Sequence, residues 1–358
     1  MKPNGTGTII GLLLSAVYLL AGGCGYCHDT TRMQPQGMTL DISRIKADLH
    51  PLDLSRDFFL TASMAGYLDF YRLNRDGTKH YIGTFQSGNE TIAAHIFLPH
   101  DPAGTLFLIH GYLDHSATLN HLIKAGLKRG FAAAVFDLPG HGLSTGERGH
   151  ITDFSEYACA LRDFLACCAA DLPGPFHLIA HSTGCSVAYE YLNHFRPDPF
   201  QQVVFMAPLV HHSYWRLSTL GWRLARHFVK TLPRKNRRNS SDPDFLNFVK
   251  NDPLQNQSLS IAFLAALNAW NRRIIQYDRL SRPVLIIQGS DDTVVDWKYN
   301  IDFFKSAIRP LDVQLVAGAR HQLANESDGL KMTIFNSIFE YIGRPEHARH
   351  IRKPSLHQ

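Results

Sequence analysis

From Thr105 to Met206 the chain alternates short apolar runs with amphipathic segments, and this rhythm restricts its fold more than any other feature. Thr105–Ile109, Phe131–Phe136, Phe176–Ala180 and Gln202–Met206 read as strands. Runs so nearly continuous in apolar residues belong to strands buried on both faces. Between them Ala117–Lys128 is helix-like, and after Asp153 the residues Phe154, Tyr157, Leu161, Phe164 and Leu165 share one face at helical spacing. Strands and helices in turn predict an α/β fold, a mostly parallel central sheet flanked by helices. The rhythm stops after Pro208 and returns with Val284–Ile287 and Val313–Val316 as strands and Trp297–Ile308 and Gly329–Ile342 as helices. Residues 209–280 therefore read as an inserted helical cap, with helices near Tyr214–Lys230 and Leu259–Ile275 and a loop from Pro233 to Pro243.

The two ends read differently. Residues 1–24 have the form of a secretory signal: Lys2, an apolar run from Ile9 to Ala21, then Gly22-Gly23-Cys24. That run is shorter than the roughly 20 residues a spanning helix requires. Ala21-Gly22-Gly23-Cys24 resembles a bacterial lipobox, with Leu20 one place further from the cysteine than is usual. The expectation is an exported, membrane-anchored lipoprotein lipidated at Cys24; cleavage without lipidation and an uncleaved anchor are the alternatives. Residues 25–52 make a tether and N-terminal segment, 53–208 and 281–343 the two parts of the core, and 344–358 a basic tail. Within the first part Asp53–Leu73 reads as a helix. His80–Gln86 and Thr91–Leu98 read as a hairpin turning at Ser87-Gly88-Asn89.

The chemistry gathers where strands end. Phe176–Ala180 breaks at His181-Ser182-Thr183-Gly184, and a helical pattern follows at Val187, Ala188, Tyr191 and Leu192. Strand, sharp turn with a serine, then helix is the context of a nucleophile elbow; an ordinary N-cap serine is the competing reading. Serine becomes a useful nucleophile only beside a base that a third group orients. Open parallel sheets collect such groups at strand C-termini. Asp291 and Asp292 follow one late strand and His321 follows the next, so the chain order is serine, acid, histidine. A developing oxyanion needs two donors. The N–H of Thr183 opens the helix, and the turn His110-Gly111 offers the N–H of Tyr112, with the His110 side chain bracing the loop.

These stretches resemble the monoacylglycerol lipase and lysophospholipase branch of the α/β-hydrolases, grouped with serine-aminopeptidase-like hydrolases. The matching residues are His110-Gly111 with Asp114-His115-Ser116, where the family usually has glutamate at the position of Asp114. They continue with Phe136-Asp-Leu-Pro-Gly-His-Gly-Leu-Ser144 through Gly146, Arg148 and Gly149, then Ala180-His-Ser-Thr-Gly184 for the usual Gly-His-Ser-Met-Gly, and Gln288-Gly-Ser-Asp-Asp292. The resemblance covers about Tyr81 to Ile342. It implies Ser182 as nucleophile, His321 as base and Asp292, not Asp291, as acid. It implies Tyr112 and Thr183 as backbone oxyanion donors, and an ester of a lysophospholipid or monoacylglycerol as substrate. A peptidase or amidase, a short-chain esterase, and a noncatalytic lipid- or partner-binding protein are the alternatives.

Composition removes other classes. The formal charge of +5 is mild for 358 residues, and no arginine-rich arm or zinc-finger spacing occurs, so no nucleic-acid partner is expected. The six cysteines and 20 histidines show no metal-ligand spacing, and the expectation is no metal and no cofactor. From Arg216 to Lys250 nine basic residues stand against Asp242 and Asp244. Trp215 and Trp222 are seven apart, beside Arg223. These three are candidate substrate contacts, and such a helix reads as facing lipid or a membrane surface. A cap helix packed on the core with solvated charges is the other reading. Oligomeric state is left open.

Overall fold

The computed structural model describes residues 39–56, 60–74, 77–215, 218–219, 228–234 and 237–344. Cys24, Trp222 and Arg223 lie outside the described residues. Ten strands are described: β1 Thr78–Ser87, β2 Glu90–Pro99, β3 Thr105–Ile109, β4 Ala132–Phe136, β5 Phe176–His181, β6 Phe200–Met206, β7 Thr231–Pro233, β8 Ser258–Ser260, β9 Leu280–Gly289 and β10 Ile308–Val316. Eight of them form one sheet in the order β1-β2-β4-β3-β5-β6-β9-β10. Only the β1–β2 and β2–β4 pairings are antiparallel. This is the mostly parallel sheet that the alternating pattern predicts, in the α/β-hydrolase arrangement that the resemblance implies. Gly88 at φ 58 turns the tight β1–β2 hairpin.

Strands β3 and β4 are buried at every position, and so carry no polar alternation. The described helices are α1 Ile42–Ala47, α2 Ala62–Phe70, α3 Asn120–Leu127, α4 Phe154–Cys168, α5 Thr183–His194, α6 Pro243–Asn251, α7 Ile261–Ile274, α8 Trp297–Ala307 and α9 Asp328–Ile342, of which α6 and α7 lie in the cap. Asp153 and Glu156 start α4 with a reciprocal capping box. The predicted apolar face of α4 is buried from Phe154 through Leu165.

Several elements depart from the reading of the sequence. Asp53–Leu73 is not one helix: α2 begins only after Thr61, whose hydroxyl accepts the Met64 N–H. The N-terminal segment carries α1 and docks on the sheet, with Ile45 fully buried and Pro51 bridged to Thr84. β9 and β10 run longer than Val284–Ile287 and Val313–Val316. Leu280 and Ile308, which open them, are buried, but residues 281–283 and 309–312 are polar or partly exposed and interrupt the apolar run.

The cap also differs. Phe228–Lys230 is not helical. The predicted loop begins inside a two-stranded ribbon of β7 and β8, and Pro243 opens α6 with Asp242 as its N-cap. Three-residue strands are too short to show a period. α7 is anchored on α5 from below. Buried Glu190 accepts from Trp270 Nε1 and Arg273 Nη2, each at 2.8 Å, and Arg273 also pairs with Asp153. Among the described residues no helix is long and apolar enough to cross a membrane.

Candidate active site

β3 and β5 are parallel neighbours in register, Ile109 opposite Ala180, so the loops leaving their C-terminal ends lie side by side. The chain passes from β3 outward to β4 and returns to β5, which makes this the switch point where open α/β sheets place ligands. Ser182 occupies the turn between β5 and α5 with φ 53 and ψ −115, a conformation costing a non-glycine residue about 1–3 kcal/mol. The turn is held by the Ser182 N–H on Met206 O (2.9 Å) and by the Cys185 and Leu209 N–H groups on Ser182 O. The Ser182 side chain makes no capping bond, which sets aside the N-cap reading.

Close backbone approach explains two glycines here. A Cβ on Gly184 would lie 2.6 Å from Ile109 O, and one on Gly111 would lie 3.1 Å from Ser182 Cβ. Ala180 stands at the first position of the pentapeptide, buried between β3 and β6.

The three side chains named from the sequence come together. His321 Nδ1 donates to Asp292 Oδ2 at 2.8 Å, which leaves Nε2 to accept from Ser182 Oγ at 3.0 Å. All three are buried. Val316 pairs with Gly289 at the ends of β10 and β9, which brings the Asp292 and His321 loops together. Asp292 also accepts from Val294 N–H (2.8 Å), Val295 N–H (3.2 Å) and Gln288 Nε2 (3.1 Å). Burial alone would raise its pKa, but the charge and hydrogen bond of His321 and these donors hold the carboxyl below its ordinary range. The adjacent Asp291 is exposed and accepts from Ser290 Oγ.

Tyr112 and Thr183 supply the first peptide N–H groups beyond Gly111 and Ser182, and neither has an acceptor among the described residues. The first N–H groups of a helix have no internal partner and carry the positive end of its dipole. His110 braces the loop as expected: Nδ1 donates to Gly111 O at 2.8 Å and Nε2 accepts the Leu138 N–H at 2.9 Å. His181 points to the other side, its Nε2 donating to His321 O at 2.9 Å. Burial, with the neighbouring His321, holds the His181 pKa down at about 4, so its ring is neutral.

Of the cap candidates, Trp215 stacks on His211 at 4.2 Å and is partly buried against the core. Among the described residues no cluster of histidine, cysteine or acidic side chains could hold a metal ion. The cap does more at this site than the sequence suggested. Arg237 Nη1 donates to Thr293 O beside Asp292, Asn239 O accepts the Gln322 N–H beside His321, and Asn256 N–H donates to Leu113 O beside Tyr112. No local pattern marks these contacts, because their partners lie far apart along the chain.

Known proteins resemble this chain in sequence and fold. A monoglyceride lipase homolog from Monkeypox virus is 28% identical over 253 residues, 67% of this chain and 90% of its own. The Homo sapiens monoglyceride lipase is 27% identical over 258 residues, 68% of this chain and 83% of its own. A Bacillus subtilis (strain 168) phospholipase is 25% identical, covering 66% of this chain and 90% of its own. Among solved structures, a soluble variant of Saccharomyces cerevisiae monoglyceride lipase in complex with a substrate analog superposes with a TM-score of 0.63. It shares 18% identity and covers 73% of this chain and 94% of its own. The profile of the serine aminopeptidase S33 family (Hydrolase_4) matches residues 100–328. That span is well over half of the 358 residues, from β3 past His321, and the chain belongs to this family of serine hydrolases on the α/β-hydrolase fold.

Proposed function

We propose that this protein hydrolyses lipid esters of the monoacylglycerol or lysophospholipid type through an acyl-enzyme on Ser182. The observation that carries the reading is the buried line Ser182 Oγ–His321 Nε2 at 3.0 Å and His321 Nδ1–Asp292 Oδ2 at 2.8 Å. In it, His321 takes the serine proton as Oγ attacks the ester carbonyl. Asp292 fixes the Nδ1–H tautomer and stabilises the imidazolium. The N–H groups of Tyr112 and Thr183 receive the oxyanion. His321 then protonates the leaving alcohol and afterwards activates the water that frees the fatty acid.

The relatives named monoglyceride lipase and phospholipase support the lipid-ester class. The basic residues between Arg216 and Lys250, apart from Arg234 and Arg237, which donate to Leu113 O and Thr293 O, favour an anionic headgroup or an anionic bilayer, and so a lysophospholipid over a neutral monoacylglycerol. Trp222 and Arg223 are the proposed headgroup contacts. Export and anchoring through Cys24 complete the proposal: labelled fatty acid that still enters a Cys24→Ser variant would refute lipidation there.

The serine aminopeptidase description of the family supports a second reading, cleavage of aminoacyl amides by the same three residues. Wild type and Ser182→Ala are compared on lysophospholipids, monoacylglycerols, aryl esters and aminoacyl amides. The expected result is highest turnover on the lysophospholipids and none in the variant. Full activity in Ser182→Ala removes the mechanism, and preference for the amides replaces the esterase reading.

A further inference from the structure

Four consecutive residues after β3 are each tied to the cap. The Tyr112 hydroxyl accepts the Ser260 N–H at 2.9 Å and donates to Gly149 O at 2.8 Å, and its ring lies 3.6 Å from that of Phe263, nearly parallel. The Leu113 carbonyl accepts from the Asn256 N–H and from Arg234 Nη1, both at 3.3 Å. Asp114 Oδ1 accepts from Gln255 Nε2 at 2.8 Å. His115 Nε2 donates to Asp252 Oδ2 at 2.7 Å, with both side chains wholly buried. Asp252 is itself fixed, its Oδ1 accepting from the Tyr71 hydroxyl (2.5 Å) and the Leu254 N–H (2.9 Å).

The loop needs this support. Leu113 has φ +64, a left-handed conformation that a branched side chain keeps only where its surroundings over-determine it. The Tyr112 N–H stands one peptide before that residue, so the turn at Leu113 aims it. A second stretch of the cap grips the histidine loop in the same way. Asn239 O accepts the Gln322 N–H at 2.9 Å, and Ser240 Oγ donates to Asn325 O at 2.6 Å.

We propose that the cap stretch 252–263 is a fixed brace for the oxyanion loop, with Asp252 the positioning residue that, through His115, sets where the Tyr112 N–H points. The inference rests on reading that N–H as an oxyanion donor in ester hydrolysis. A cap that lifted as one body would break the ties to residues 112–115 and displace the donor. Substrate therefore enters while this stretch stays seated, and specificity and donor placement are served by different parts of one insertion.

The test uses the full chain with Asp252→Asn and, separately, Gln255→Ala, which removes the cap's amide from Asp114 Oδ1, leaves the His115 N–H and Gln322 Nε2 on that carboxylate, and keeps the buried pair intact. Turnover of an aryl ester is measured with KM, thermal melting, and the rate of Ser182 phosphonylation by a fluorophosphonate, whose P=O occupies the oxyanion position. Folded Asp252→Asn is expected to lose about 10²-fold in kcat, the scale of removing one oxyanion donor, with KM within about twofold. Phosphonylation is expected to slow by the same factor. Gln255→Ala is expected to lose about tenfold in both rates, and it decides the matter alone if Asp252→Asn does not fold. His115→Gln should cost as much as Asp252→Asn, and the double variant no more, because the pair acts as one unit. Normal kcat and phosphonylation in a folded Asp252→Asn, or in Gln255→Ala where Asp252→Asn does not fold, overturn the brace and leave the hydrolase standing. Wild type that neither hydrolyses esters nor reacts with the fluorophosphonate overturns both.

Discussion

The ring of His181 bypasses the serine beside it and donates, at 2.9 Å, to the backbone carbonyl of His321. The residue preceding the proposed nucleophile thus holds the loop of the proposed base. Replacing it with alanine removes one of the two donors to that carbonyl, the other being the Leu323 N–H at 2.9 Å, at a cost of about 0.5–1.5 kcal/mol. His181→Ala is expected to lower kcat about tenfold with little change in KM. Steady-state kinetics on a variant with wild-type circular dichroism check this, and an unchanged kcat would remove His181 from the positioning of His321.

The adjacent aspartates separate cleanly. Asp292→Asn leaves His321 Nδ1 facing an amide and is expected to reduce kcat about 10⁴-fold. Asp291→Asn changes an exposed side chain and should shift stability by no more than about 0.5 kcal/mol with kcat retained. Equal losses in the two variants would contradict the assignment.

Gly184→Ala is expected to destabilise the fold by about 1–3 kcal/mol, because its Cβ meets backbone oxygens of Ile109 and His110 that cannot move aside. Ala180→Gly, which restores the more usual pentapeptide, should cost only about 0.5–1 kcal/mol from strand entropy. Urea unfolding of both variants measures the difference, and the reverse order would refute the close-packing account.

Acid should unfold this protein early. Burial first, with neighbouring cations or histidines, holds His95, His121, His181 and His211 at about 4 and His141 at about 3. Each regains a value near 6.5 on unfolding. Depressed folded pKa values give stability that is full above pH 6.5 and lost as pH falls toward 4. His115 acts oppositely: burial works against its charge, but Asp252, Asp137 and Asp114 raise its pKa, so its contribution is present below pH 6.5 and fades above that. Calorimetry at pH 5 in buffers of different ionisation heat should show unfolding coupled to uptake of at least about four protons. A melting temperature that stays flat from pH 7 to pH 5 would contradict it.

Much of the molecule is legible in its sequence. The apolar runs of β3, β4 and β5 have few polar positions because both faces are covered, and that signature is local. Ser182, the pair Asp291-Asp292 and His321 are legible because strand ends are marked by Gly, Ser and Asp breaks, while the preference for Asp292 over Asp291 rests on the family resemblance. The ribbon β7–β8, the start of α6 and the split of Asp53–Leu73 are not legible. Those elements are short or half-exposed, and neighbours fix them more than their own periodicity does.

Periodicity within a dozen residues was enough to set the order of strands and helices, the parallel sheet and the succession serine, acid, histidine. Folding settled which groups act on one another. It put Asp292 on His321 across 29 residues, His181 on the His321 carbonyl across 140, and Asp252 of the cap on His115 across 137. Such contacts depend on how loops from neighbouring strands and an insertion converge in space. Burial gives them their strength, by removing the water that would otherwise satisfy the same groups. A buried pair of this kind leaves no mark in the residues around either partner.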